Sequence, residues 1–436
     1  MKRHMQYSIL AIALFCTFTF TACKKDYQDP SGPSSEGAYS SPATLANVAV
    51  GLQTWYTKDR TGLLYTTVTS GSLLVGETFV TNPGNTDEAQ LGAGGSKVLT
   101  TNVVVTGMWN VSNKIRYEAD SVIRRTGAIV TDKSFASGLI AYTTIFKALA
   151  LGVQANFWEQ VPENTSTPVL SSGGVKFVPG KQGYVMAAAA LDNAISTVTA
   201  TPIGNSFLAN IPDSVDIVNT LYALKARYAL YAGDYPGAIA AADKVNLNVR
   251  STLSFNPQIT NPIFTLVTAT NNIYNVVDST MGLPVPIQPD LADQRVPFYI
   301  ARPVKPKFNI SGFFRSTQTS VPIYLPGEML LIKAEAYARQ HDILNGLIFL
   351  NKVVTKKASE DAFGIGAALP PVAAATEADL LTLIYKHRRI ELFMGAQELA
   401  DSRRFGRPVS ERKRSYFPYP FVERNDNPNT PDDPAF

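Results

Sequence analysis

The segment from Val215 to Val245 constrains the fold more than any other. It runs apolar and alanine-rich to Tyr231, breaks at Gly233-Asp234, and resumes with Pro236 in the first turn of a second helix. Gly just past one helix end and Pro just inside the next are the punctuation of a helical hairpin. Small residues at Ala223, Ala226, Ala229, Ala238 and Ala242 let the two helices approach closely. A hairpin of this size cannot bury its own apolar face, so further helices must stack against it. The chain supplies them. Thr106–Arg125 repeats Met108, Val111, Ile115, Ala119 and Val122 at spacings of three and four. Ser137–Phe157 does the same with Leu139, Tyr142, Phe146, Leu149, Val153 and Phe157, and both stripes predict amphipathic helices. Further helices are expected over 43–58 and Gly183–Val198, with a second hairpin from Pro326–Arg339 and Asp342–Lys356. One last long helix is expected from Thr376 to Phe405.

The Ala223–Tyr235 run looks like a degenerate tetratricopeptide unit. The expected class is therefore mostly α, with tetratricopeptide-like helical hairpins over about 106–247 and 323–405. Two segments, 61–104 and 248–322, break the pattern with Gly, Asn, Thr, Pro and short β-branched runs such as Val103-Val104-Val105. They are expected as a loop-rich second portion with a few short strands. Loops this long in a compact domain are usually functional, so a ligand site is sought there.

The N-terminus sets the compartment. Lys2, Arg3 and His4 precede an apolar run from Ile9 to Phe20, with no acidic residue before Cys23. That run is about 12 residues, against roughly 20 for a membrane span, and has the proportions of a signal-peptide core. It ends in Phe20-Thr21-Ala22-Cys23, which resembles the lipobox of bacterial lipoproteins. Residues 1–22 are expected as signal peptide and Cys23 as the lipidated residue. Phe15, before the other cysteine, Cys16, is too bulky for the cleavage position. Lipidation would leave no thiol for a disulfide, so the body over 42–436 must rely on its core. The Lys24–Ser41 stretch, rich in Ser, Gly and Pro, reads as a flexible tether. A net charge of +4 on 436 residues is too small for a nucleic-acid partner.

Three further stretches carry a resemblance. Tyr324-Leu325-Pro326-Gly327-Glu328 leads into Ala334-Glu335-Ala336-Tyr337. Arg388-Arg389-Ile390-Glu391-Leu392, Gly395 and Asp401-Ser402-Arg403-Arg404-Phe405-Gly406 follow. The chain closes on Phe417-Pro418-Tyr419-Pro420, Glu423 and Asn427-Pro428-Asn429. In this order, with Met108-Trp109-Asn110 upstream and Asp293-Gln294-Arg295 where a "DPR" turn is expected, the set resembles the SusD/RagB family of Bacteroidetes outer-membrane lipoproteins. The resemblance implies a single SusD-like body, held by lipid at the cell surface over a TonB-dependent, SusC-like transporter. It implies capture of an oligosaccharide, or in some branches a peptide, with no catalysis and no cofactor. A tetratricopeptide-type scaffold is the reading from outside the family.

Chemistry has few footholds. His341 and His387 are the only histidines beyond the leader, and no Gly-x-Ser-x-Gly elbow or phosphate loop occurs. A glycoside hydrolase needs only two carboxylates, which no motif need show. His387 and Glu391 stand four apart on an expected helix, but Arg388 and Arg389 repel a cation. Together with Glu398, Asp401 and Arg404 they are expected as a helix-surface ion-pair network rather than a metal site. Trp55, Trp109 and Trp158 are expected in the core. Sugar binding uses exposed rings flanked by amides and carboxylates. The candidates are Tyr65, Phe79, Asn82, Asn85 and Asp87 in the first loop segment, with Tyr274 and Asp278 in the second.

Overall fold

A computed structural model describes residues 37–165, 173–270, 272–301 and 309–436. The leader, Cys23 and most of the tether lie outside these residues. The helices are α1 (Pro42–Thr57), α2 (Leu63–Leu74), α3 (Thr86–Ala93), α4 (Val103–Ile129), α5 (Lys133–Phe157), α6 (Gly180–Ala200), α7 (Ile217–Ala232) and α8 (Tyr235–Ala242), then α9 (Pro326–Ala338), α10 (Ile343–Val354), α11 (Glu377–Glu391), α12 (Glu398–Arg404) and α13 (Phe421–Asp426). Among the described residues two short α-helices, Asn205–Leu208 and Arg295–Tyr299, six short 3-10 or π segments and eight short strands lie in the connections.

Consecutive helices pack side by side. α4 lies on α5, α5 on α6, α6 on α7, α7 on α8, α8 on α9 and α9 on α10, so hairpins stack as the alanine-rich segments require. Both expected hairpin turns use one device. Gly233 takes φ 86° and Asp234 caps α8 by accepting from the Gly237 N–H at 2.9 Å. In the second hairpin His341 takes φ 64° in the glycine's place, and Asp342 caps α10 through the Asn345 N–H at 3.0 Å. α5 is long and apolar enough to cross a membrane, but 83% of its most apolar window is buried, which marks it as the central core helix.

Two expectations need correction. Residues 61–104 are not mainly loop: α2 is buried on every face, so its residues show no amphipathic stripe. Its Thr66 and Thr67 hydroxyls bond back to the Gly62 and Leu63 carbonyls, which satisfies polar groups inside the core. The expected long helix over Thr376–Phe405 is two helices, α11 and α12. The turn between them holds Met394 and Ala396 at φ 53° and 62°, a left-handed geometry that no continuous helix can pass through. Trp109 and Trp158 are core, 4.9 Å apart edge to face, while Trp55 is half-buried under the Lys58 and Lys114 ammonium groups.

The strands are short antiparallel pairs. β1 (Thr78–Val80) pairs with β5 (Tyr274–Val276), and β2 (Gln160–Pro162) with β3 (Phe177–Pro179). β4 (Thr252–Leu253) pairs with β8 (Val321–Pro322), and β6 (Ile300–Ala301) with β7 (Asn309–Ile310). The closing Phe417–Pro420 stretch fills the end of the core. Phe417 stacks on Phe157 at 5.3 Å, and the Trp158 indole N–H donates to the Pro418 carbonyl at 3.1 Å.

Candidate functional site

The β1–β5 ribbon joins the two segments in which a ligand site was sought. Phe79 stands opposite Asn275 and Val80 opposite Tyr274, and the Thr81 N–H donates to the Ile273 carbonyl. Phe79 is 42% exposed, so part of its ring is open to solvent. Beyond it Asn82 is exposed and folds its Oδ1 onto the Gly84 N–H at 2.9 Å, which shapes the turn. Asn85 precedes α3 and donates to the Asn82 carbonyl and, at 3.5 Å, to the Asn272 carbonyl across the ribbon.

The other candidates have structural duties. Asp87 accepts from the Val103 N–H at 2.8 Å, an anion at the positive end of α4. Asp278 accepts from the Thr280 N–H and hydroxyl and so closes the turn after β5. Tyr65 lies in α2 rather than in a loop, is 0% exposed, and donates to Glu88 at 2.7 Å. Tyr274 is equally buried, with its hydroxyl 3.0 Å from that of Thr69. Neither ring has a free face for a sugar, because burial in the core is what made both segments apolar. Tyr274 turns inward from the ribbon onto Thr69 of α2, the helix that also carries Tyr65.

A groove of about 180 Å³ opens one residue beyond Asp278. Ser279, Asp290 and Gln294 face it with Leu291, Val296 and Pro297. Sequence reasoning missed this wall, although its position beside the Asp293-Gln294-Arg295 turn was a usable signal. Asp293 accepts from the Arg295 backbone and guanidinium at 2.7 to 3.0 Å. That same guanidinium reaches Glu391 at 3.0 Å and the His387 ring at 2.8 Å. The groove is thereby fixed to α11.

The charged residues expected on a helix surface are largely buried, and their ion pairs run both between elements and along single helices. Arg388 holds Asp401 through two bonds of 2.8 and 3.1 Å. Arg404 pairs with Asp401 and Glu335, and Arg339 with Glu335 at 2.7 Å. Glu391 sits between Arg295 and Lys356. Burial by itself would raise the Glu391 carboxyl, but these two cations outweigh it and hold it below its usual range. Burial, with Arg295 and Lys386 nearby, keeps His387 neutral by lowering it well below the usual imidazole value. A metal at His387 and Glu391 would have to displace the Arg295 guanidinium. A Cβ on Gly327 would lie 1.8 Å from Glu391 Oε1, so Gly is required where α9 meets α11. The paired motif segments thus form one buried lattice.

Glu77 ties that lattice to the ribbon. Its carbonyl accepts from the Val277 N–H, while its carboxylate takes bonds from Arg389 and the Met394 N–H, each at 3.2 Å. Burial pushes it up to about 7. Glu398 lies 3% exposed against Gly71 with both oxygens unbonded, and burial beside Glu77 raises it well above the usual carboxylate range. The ribbon and the turn offer a ring and amides, and the groove offers the Ser279 hydroxyl, the Gln294 amide and the Asp290 carboxylate.

No family model and no curated protein matches this sequence. Solved structures do. A SusD superfamily protein from Bacteroides vulgatus superposes with TM-score 0.69 at 14% identity, covering 90% of this chain and 99% of that one. A SusD homolog from Bacteroides thetaiotaomicron gives 0.70 at 12% identity over 91% and 97%. Surface glycan-binding protein A from the same organism, in complex with laminarihexaose, gives 0.65 at 12% identity over 89% and 98%. At such identities the agreement is one of architecture, and it runs from end to end: this chain has the SusD-like fold.

Proposed function

We propose that this chain is a non-catalytic surface lipoprotein that captures an oligosaccharide and passes it to a TonB-dependent, SusC-like outer-membrane transporter. The observation that carries the reading is exposed Phe79 on the β1–β5 ribbon, with Asn82 and Asn85 beyond one end of the ribbon and the groove past Asp278 beyond the other. A ring face stacks on the apolar face of a pyranose, and amides and hydroxyls meet its hydroxyl groups. Solved structures of like fold include one described as a SusD-like carbohydrate binding protein and one holding laminarihexaose, which supports a glycan.

The geometry of α4 supports surface presentation. At ~1.5 Å per residue its 27 residues span ~40 Å. Tyr39, near the tether, packs under Arg125 at one end, and Asp87 meets Val103 at the other. The chain thus enters the body at the end of α4 opposite α3. A partner needs its own surface, and α10 offers Leu344 and Ile348, 70% and 45% exposed one turn apart. That face also keeps the scaffold reading in play.

The test is calorimetric titration of the mature chain with laminarihexaose and a panel of other neutral oligosaccharides, beside peptides of matching length. At least one glycan should bind, and Phe79→Ala should weaken it roughly three- to tenfold, the worth of one aromatic stack. Peptide binding alone would move the chain to the peptide branch, and release of shorter sugars would overturn the non-catalytic reading.

A further inference from the structure

A second cavity lies away from the ribbon, where α1, α2, α5 and α7 meet the turn between α11 and α12. It has two lobes of about 90 and about 50 Å³ that share the side chains of Tyr56, Leu149, Arg227 and Gln397. Its mouth is open: Gly395 is exposed, and Tyr56, Phe313 and Ala396 are half-exposed. The remaining wall of the larger lobe is aromatic and aliphatic, with Tyr299, Phe314, Tyr324 and Phe393 prominent.

The polar atoms facing it are mostly satisfied. Arg227 is closed off by Glu328 at 2.5 and 2.7 Å and by the Ile323 carbonyl at 2.8 Å. The pair is neutral overall, so a charged ligand would lose its hydration here without compensation. Gln397 Oε1 accepts from the Tyr231 hydroxyl at 2.7 Å and from Arg388 at 3.3 Å, which leaves the Nε2 amide end as a donor. Among the described residues no hydrogen bond engages the Gln397 Nε2 amide or the Tyr56 hydroxyl, and neither is among the fully buried unpartnered atoms, so both are open to solvent in the cleft. Burial pushes the Tyr56 phenol up to about 12, so it stays a donor at neutral pH. Gln397 Nε2 donates and the Tyr56 hydroxyl can donate or accept, so an occupant with one oxygen acceptor can meet both.

We propose that this cleft is a second binding site, for a small neutral ring carrying one oxygen acceptor. The larger lobe, at about 90 Å³, is smaller than the roughly 150 Å³ of an engineered closed cavity that takes up benzene, and its open mouth lets a ring lie partly outside it. A pyranose does not fit this chemistry, because it brings several hydroxyls to a wall with two free polar groups and would leave most of them unbonded. The site is thus distinct from the proposed glycan surface, and the inference stands whether or not that surface binds sugar.

The test uses phenol as probe, titrated into the mature chain by calorimetry, with benzene as the ring without the oxygen. Phenol should bind saturably at one site and more tightly than benzene. Tyr56→Phe should weaken phenol about three- to tenfold, one hydrogen bond's worth, while leaving benzene unchanged. Leu149→Trp, placed on the wall common to both lobes, should abolish uptake of both, with a thermal melt to show that it folds. Absence of saturable phenol binding to the wild type overturns the proposal. So does phenol binding that Tyr56→Phe leaves unchanged, or an oligosaccharide that competes with phenol, since the cleft would then belong to the glycan site.

Discussion

Glu398→Gln should make the protein more stable at neutral pH, against the usual run of substitutions at buried positions. The wild-type carboxyl is buried at 3% exposure with neither oxygen bonded, and Glu77 lies close enough to repel its charge. Its folded value therefore stands above the unfolded one of 4.5, and the folded state keeps a proton that the unfolded chain releases. Stability is then fullest below the unfolded value and is lost as pH climbs from there toward the folded value. The slope is about 1.4 kcal/mol per pH unit, so by pH 7 the loss reaches ~3 kcal/mol at most. The amide has the same shape against Gly71 and no proton to lose. In urea titrations of the mature chain, wild type should lose stability between pH 5 and pH 7 while Glu398→Gln changes far less. The variant should exceed wild type at pH 7, by up to the ~3 kcal/mol of that upper bound. Glu77, pushed up to about 7, adds to the wild-type slope in the same direction and survives in the variant. Equal slopes for the two proteins would refute the reasoning, because Glu398 would then be ionised in the folded state or its burial relieved.

Two further substitutions probe the lattice and the hairpins. Arg388→Met removes the guanidinium that grips Asp401 at 2.8 and 3.1 Å and leaves a buried carboxylate with Arg404 alone, so unfolding should become easier by ~3 kcal/mol or more in denaturant titration. His341→Gly relieves a side chain held at φ 64° whose ring meets Glu377 at an exposed position; it should raise stability by roughly 0.5–1 kcal/mol, read from the thermal midpoint.

The sequence determined by itself whatever depends on local periodicity and punctuation. The stripes of α4 and α5, the Gly233-Asp234 break and the Asp342 cap each act within a few residues, so the mostly helical class and the hairpins were legible. The order of motif segments likewise fixed the SusD-like expectation that the superposition bears out. What tertiary structure decided is which residues those segments face. α2 was missed because full burial erases amphipathic spacing, and one expected helix became two because Met394 and Ala396 take left-handed angles that their side chains do not announce. Tyr65 and Phe79 look alike as aromatic residues in one polar segment, yet one is sealed under the ribbon and the other lies open on it. Glu77 and Arg389, 312 positions apart, meet only in the folded chain. Spacing along a chain encodes contacts within an element. Contacts between elements depend on how faces pack, and only the assembled core fixes those.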